Sequence, residues 1–166
     1  MKRLILSILL IASIAANAQT DIAPPYKRFP TLPPLQLLLG DSATKYQKEN
    51  IPTKKPVLIM LFSPDCNHCQ HTAEEMYKNR EKLKDIQIVM ATLLSLSEMN
   101  SFMKKYKLDQ MKNVVAGKDL YFILPPFYAI KNFPYMAMYN KKGNLILGFE
   151  GSMPIEKVIK TFKDNE

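Results

Sequence analysis

The chain is poor in the residues that bind metals or form stabilising disulfides. Its 166 residues include two cysteines, two histidines and no tryptophan. Cys66, His68, Cys69 and His71 are close together in sequence, and no second cysteine–histidine pair exists to complete a structural zinc site. A disulfide between Cys66 and Cys69 would close only a small ring, which removes little entropy from the unfolded chain. The pair is therefore better explained as reactive thiols than as a stabilising crosslink.

Long runs of one charge are also missing. The net charge is +8, but the lysines are dispersed, and no block of five or more like charges occurs. Basic and aromatic residues do not alternate along any segment, so we expect no nucleic-acid binding. The excess of positive charge is interpreted as a solvated surface that favours acidic partners or membrane headgroups.

The N-terminus has the pattern of a secretory signal peptide. Residues 1–3 are basic at Lys2 and Arg3, residues 4–16 are largely apolar, and a small-x-small cleavage pattern ends at Ala18. The apolar segment is shorter than the roughly 20 residues that span a bilayer, so we expect cleavage rather than an uncleaved membrane anchor. The predicted organisation is a signal peptide over 1–18, a proline-rich extended leader over 19–34 and one domain over 35–166.

Hydrophobic periodicity predicts an α/β domain. Residues 57–62 are apolar at every position, which is typical of a central strand that is buried on both faces. The other predicted elements are strands over 35–39 and 86–94, helices over 70–83, 96–106 (capped by Ser97) and 154–162, and a hairpin over 134–139 and 145–149. Residues 44–51 fit a strand or a helical turn, and residues 118–130 fit either class. The order of elements predicts a sheet with parallel and antiparallel parts.

Cys66 and Cys69 are predicted at the junction of the central strand and a helix. A helix N-terminus carries unpaired N–H groups and about half a positive charge, which stabilises a thiolate at Cys66. Cys69 lies one turn further along, close enough to form a disulfide and more buried. We therefore expect Cys66 to attack a substrate disulfide and Cys69 to resolve the mixed disulfide.

Three neighbouring residues are candidates for tuning this pair. A protonated His68 would stabilise the thiolate and make the couple more oxidising. The Asp65 carboxylate would oppose thiolate formation, since it brings a like charge to the site. Asn67 offers a local hydrogen-bond donor.

The segment 57–69 resembles the strand and active site of the thioredoxin superfamily, above all its exported TlpA-like and redoxin-type thiol–disulfide oxidoreductases. Phe133-Pro134 before a strand, Gly143 in a turn and Gly151 after the hairpin match the family's later motifs in order. The resemblance covers roughly 35–162. It implies a thioredoxin-like fold, in which helices flank both faces of a central mixed sheet, and a redox-active disulfide with no bound cofactor or metal. It further implies a cis Pro134 opposite the cysteines, with Phe133 presenting its backbone to substrate.

The sequence departs from this family at three positions. Met60 and Thr72 stand where thioredoxins and TlpA-like proteins respectively carry an acid, and Asp65 replaces a common tryptophan. Glu74 and Glu75 are expected to face solvent. The usual proton acceptor for the second cysteine is therefore missing, which leaves the direction of electron flow open.

The most favoured function is an exported, periplasmic thiol–disulfide oxidoreductase, more a reductase than an oxidase. Its expected partners are thiols and disulfides of exported proteins and a membrane redox protein, and the expected oligomeric state is a monomer. One alternative is a zinc or copper binding or delivery protein that uses the Cys/His cluster. The other is a non-catalytic thioredoxin-fold binding module.

Overall fold

The computed structural model describes residues 23–165. The predicted signal peptide and the first residues of the leader lie outside the described residues. Within residues 23–165, no helix is both long and apolar enough to cross a bilayer. The strands are β1 (Gln36–Leu39), β2 (Lys45–Gln47), β3 (Val57–Leu61), β4 (Gln87–Thr92), β5 (Val114–Asp119), β6 (Tyr135–Tyr139) and β7 (Leu145–Glu150). The helices are α1 (Pro25–Arg28), α2 (Asn67–Lys78), α3 (Arg80–Leu83), α4 (Leu96–Lys105), α5 (Leu124–Tyr128) and α6 (Ile155–Lys163).

In the described part of the chain the strands form one mixed sheet, in the order β2-β1-β5-β4-β3-β6-β7. Strands β3, β4 and β5 are parallel to one another, and the remaining pairings are antiparallel. The carboxyl ends of β3, β4 and β5 therefore meet at one edge, where β1 and β6 begin. We call it the C-terminal edge.

Helices cover both faces of the sheet. Strand β3 is fully buried and alternates between the faces, with Leu58 and Met60 in one core and Ile59 and Leu61 in the other. The first core is rich in methionine and packs against α2, α4 and α6. The second lies under α5 and the region of α1, and it contains buried tyrosines. The predicted α/β thioredoxin-like class, with a central strand buried on both faces, is confirmed.

Two helix predictions are wrong in detail. The helix expected over 70–83 begins at Asn67 and is broken at Asn79, so that α2 and α3 are separate. The cap of α4 is Ser95 rather than Ser97. Ser95 Oγ accepts the Glu98 N–H and the Glu98 carboxylate accepts the Ser95 N–H, a reciprocal pairing that satisfies two otherwise unpaired donors.

The segments left open by the sequence contain both classes of structure. Residues 44–51 form β2 followed by a 3-10 turn at Lys48–Asn50. Residues 118–130 contain the end of β5 and all of α5, whose first turn holds Pro125 and Pro126, where a missing N–H costs little.

The leader is not wholly extended. Residues Pro25–Arg28 are helical, with proline at the favoured first position. Thr31 forms a bridge with Asn144, which ties the segment to the β6–β7 hairpin.

Candidate active site

Cys66 is the N-cap residue of α2, directly after the loop that follows β3. Its sulfur accepts the backbone N–H of Cys69 at 3.4 Å. The thiol also contacts the carbonyl oxygen of Phe133 at 3.6 Å, across 67 residues of sequence. The residue is half-buried and thus partly exposed to solvent. The structure thus places Cys66 where the unpaired N–H groups of a helix stabilise negative charge.

Cys69 lies one turn along α2 and is fully buried. Both cysteines are free thiols. Burial raises the pKa of the Cys69 thiol strongly, and the neighbouring Cys66 adds to this shift, whereas a hydrogen bond from the Ser63 backbone opposes it. The two sulfurs are therefore unequal: one is accessible at a helix terminus and the other is protonated and shielded.

The opposite wall of the site is formed by Phe133 and Pro134. The peptide bond between them is cis. Pro134 is buried and Phe133 is half-buried. The Pro134 carbonyl accepts the N–H of Gly151 at 2.7 Å, where Gly151 has a left-handed φ of 92° that suits glycine. This bond links the segment before β6 to the residues after β7.

The three tuning candidates lie at the rim. Asp65, Asn67 and His68 are all exposed, and within residues 23–165 none of their side chains hydrogen-bonds to either sulfur. The Asp65 carboxylate accepts a hydrogen bond from the Ser63 hydroxyl. The structure therefore brings together Cys66, Cys69 and Phe133, whereas Asp65, Asn67 and His68 lie at the rim.

Residues 44–166 match the family of thioredoxin-like domains. The chain belongs to this family. No curated protein sequence matches the chain.

Solved structures of low sequence identity share the fold. A secreted Mycobacterium tuberculosis disulfide oxidoreductase homologous to Escherichia coli DsbE is 16% identical, with a TM-score of 0.66, over 79% of this chain and 96% of its own. M. tuberculosis DsbF is 17% identical, with a TM-score of 0.68, over 80% and 96%. The exposed lipoprotein thioredoxin Etrx1 of Streptococcus pneumoniae is 19% identical, with a TM-score of 0.61, over 78% and 98%. At these identities the likeness establishes the thioredoxin-like fold.

Met60 and Thr72 occupy the two positions at which thioredoxins and TlpA-like proteins are expected to carry an acid. Met60 is completely buried in the methionine-rich core. Thr72 is 2% exposed, and its hydroxyl donates to the His68 carbonyl at 2.8 Å. Since that donation uses its only proton, the hydroxyl accepts from Ser152 at 2.9 Å. Ser152 is not among the site residues predicted from the sequence. Its position directly after Gly151 is the feature that could have indicated it.

The glutamates next to Thr72 do not replace the family acid. Glu74 is exposed, and Glu75 forms an ion pair with Lys78 at 2.8 Å. Within residues 23–165, no group of three histidine, cysteine or acidic side chains is arranged to hold a metal ion. Two adjacent sulfurs, one of them at a helix N-terminus, are suited to thiol–disulfide exchange.

Proposed function

We propose that this protein is an exported thiol–disulfide oxidoreductase that exchanges disulfides with exported proteins through Cys66 and Cys69. The observation that carries the proposal is the asymmetry of the two sulfurs: Cys66 is accessible at the N-terminus of α2, whereas Cys69 is buried behind it. A thiolate favoured by a helix N-terminus is the reactive form of cysteine. The site is complete within one chain, which supports a monomer.

The reaction proceeds in two exchange steps. The Cys66 thiolate attacks one sulfur of a client disulfide, so that the client S–S bond breaks and the second client sulfur leaves and takes up a proton. Cys69 then loses its proton and attacks the Cys66 sulfur, which forms the Cys66–Cys69 disulfide and releases the first client thiol. Two electrons and two protons pass to the client. A dithiol on a membrane redox partner supplies them back by the reverse exchange.

Phe133 contributes a docking position for the client. In the thiol form, Cys66 donates its hydrogen to the Phe133 carbonyl. Once Cys66 is a thiolate it has no hydrogen to donate, so the carbonyl is free to accept an N–H from an extended client segment. Pro134 holds this carbonyl opposite the cysteines. The step that activates the nucleophile thereby also opens a contact for substrate.

We favour the reductase direction and a periplasmic location. Asp65 directly precedes Cys66, and its charge opposes the thiolate of the reduced form, which makes the couple more reducing. His68 acts in the opposite sense when it is protonated, and Asn67 offers its amide to the rim. Two structurally similar proteins are described as a secreted oxidoreductase and an exposed lipoprotein. Together with the signal-peptide pattern, this supports export.

The roles of the two cysteines are tested by trapping. Cys69→Ala should accumulate mixed disulfides with exported proteins, because the first exchange occurs and the second cannot. Cys66→Ala is the matched control and should accumulate none. Both are analysed on non-reducing gels after acid quenching, beside an insulin-reduction assay of the wild type. Equal trapping by both variants contradicts the assignment, and absence of wild-type turnover favours a binding module instead. The reduction potential of the pair, measured against glutathione, decides between reductase and oxidase.

A further inference from the structure

Four large hydrophobic side chains are exposed to solvent in the described structure. Within residues 23–165 they are Phe29, Leu120, Tyr121 and Phe122, which are 58%, 42%, 58% and 58% exposed. Three of them are consecutive, in the loop between β5 and α5. Phe29 directly follows α1, which packs against α5. We call these four residues the aromatic surface. Exposed apolar residues that are scattered singly need no explanation, but a group of this kind marks an interaction site.

A buried aspartate fixes the loop that carries Leu120, Tyr121 and Phe122. Asp119 is 4% exposed, and its carboxylate accepts the N–H groups of Ile123 and Leu124 at 3.2 and 2.8 Å. Leu124 is fully buried. Phe122 has a left-handed φ of 52°, which is unfavourable for a bulky side chain. The exposure of the loop is therefore specified by the fold rather than a result of local fraying.

A cavity with apolar and polar walls lies beside Phe29. It has a volume of about 670 Å³ and lies between the segment of α1 and the start of α5. Phe29 forms one wall, and Ile123 and Phe127 form another. Ile123 is the last residue of the β5–α5 loop, so the cavity has Phe29 on one side and the end of this loop on the other.

Cationic side chains flank the aromatic surface. Lys27 and Arg28 are exposed and directly precede Phe29, and the Arg28 guanidinium lies over the Phe29 ring at 5.2 Å from its centroid. The cavity itself is lined by one cation, Lys48, and one anion, Glu49, whereas Lys118 interacts with Glu98 of α4. Asp119, which ends β5, is buried, and its carboxylate accepts two N–H groups, so Lys27 and Arg28 leave the surface with a net positive charge. The partner that complements this surface is therefore apolar and anionic.

We propose that the aromatic surface binds an anionic phospholipid bilayer at the level of its headgroups. Aromatic and leucine side chains combined with lysine and arginine are the composition of interfacial membrane contacts. Because β3 and β5 both end at the C-terminal edge and are separated by β4, they are about 10 Å apart. Binding through the β5–α5 loop holds the edge that carries Cys66 next to the membrane surface.

The lack of tryptophan in the chain provides a direct test. Phe122→Trp introduces the single tryptophan of the chain, whose emission can be excited apart from that of the tyrosines. With vesicles of equimolar phosphatidylglycerol and phosphatidylcholine, we expect its emission to move to shorter wavelength and to be quenched by brominated lipid chains. Lys157→Trp, on the exposed face of α6, is the matched control and should show neither effect. Binding through an apolar N-terminal segment would persist when the loop residues Tyr121 and Phe122 are replaced, which separates the two causes.

Further variants distinguish the contributions of charge and of apolar contacts to vesicle binding. In vesicle sedimentation, Tyr121→Ser combined with Phe122→Asn should weaken binding by about tenfold or more. Lys27→Gln and Arg28→Gln should each weaken it by about fivefold. Unchanged Trp emission with anionic vesicles overturns the proposal, as does an equal response to phosphatidylcholine alone. A shift with reduced, unfolded insulin chains but not with vesicles also overturns it, because the surface would then bind protein. None of these readouts requires thiol chemistry, so they remain valid if the proposed activity is wrong.

Discussion

The rate at which Cys69 resolves a mixed disulfide should rise steeply with pH. Cys69 attacks as a thiolate, yet its thiol is fully buried and burial raises its pKa strongly. Part of the shift comes from Cys66, and this part is lost when Cys66 is bonded to a client. The desolvation that is the largest cause remains, because it belongs to the position of Cys69 in the core.

The magnitude follows from the thiolate fraction. Well below the pKa of a thiol, each pH unit changes that fraction about tenfold, so the resolution rate should rise about a hundredfold from about pH 6 to pH 8. An unshifted cysteine would begin to level off near its ordinary pKa of about 8.5. Cys69 should show no levelling there.

The measurement uses an aromatic disulfide reagent that releases a coloured thiol. Its reaction with Cys66 depends on reagent concentration, whereas the second release is first order and reports attack by Cys69. Cys69→Ala is the control and should lack the second phase. A second phase that reaches a plateau below about pH 8 would refute the reasoning, since a local base would then be removing the proton.

The same pKa shift has a consequence for stability. Above about pH 8.5 the unfolded chain loses the Cys69 proton while the folded protein retains it, so the reduced protein should lose stability as pH rises. Below about pH 8.5 both the folded and the unfolded chain keep this proton, so Cys69 causes no loss of stability there. Urea unfolding of the reduced protein at increasing pH should show the decline, and Cys69→Ala should reduce it. A decline of the same size in the variant would assign it to other groups.

Further substitutions at four positions test individual contacts. The buried hydroxyl of Tyr135 has no hydrogen-bond partner in the described structure, so Tyr135→Phe should leave the urea midpoint unchanged or raise it. The Tyr128 and Tyr139 hydroxyls are hydrogen-bonded at 2.7 Å, so Tyr128→Phe leaves the buried Tyr139 hydroxyl unpaired and should cost about 1–3 kcal/mol. Equal effects of Tyr135→Phe and Tyr128→Phe on the urea midpoint would contradict this reasoning. Ser95→Ala should cost about 1 kcal/mol in the same assay, and Ser95→Thr much less, since threonine keeps the hydroxyl that caps α4 and donates to Glu98. His68→Leu should lower the reduction potential by at most about 20 mV because His68 is exposed, and a raised potential would contradict its assigned role.

Features set by local pattern could be predicted from the sequence. An uninterrupted apolar run can only be satisfied by burial on both faces, which predicts β3. The position of Cys66 at the start of a helix follows from the change from strand to helix pattern after residue 62. The final hairpin has a glycine in its turn, and Gly143 indeed has a left-handed φ of 77°.

Features set by distant contacts could not be predicted in this way. Strand β5 is only partly buried and contains Gly117 and Lys118, so its sequence lacks the alternation of a strand. It is a strand because β1 and β4 pair with it on either side, and Gly117 is required where Leu37 approaches closely. The contact between Thr72 and Ser152 likewise joins residues 80 positions apart.

The loss of both family acids changes which step limits turnover. Met60 and Thr72 offer Cys69 no carboxylate, and Asp65 acts on it only as a charge that disfavours the thiolate. Asp65 opposes the Cys66 thiolate as well, but the Cys66 sulfur is half-buried and receives an N–H at the helix terminus, which favours its attack. The first exchange should therefore be faster than the second, so mixed disulfides persist in the wild type at mildly acid pH. An enzyme with this imbalance holds its clients longer before releasing them, which gives time for a client cysteine, rather than Cys69, to complete the exchange.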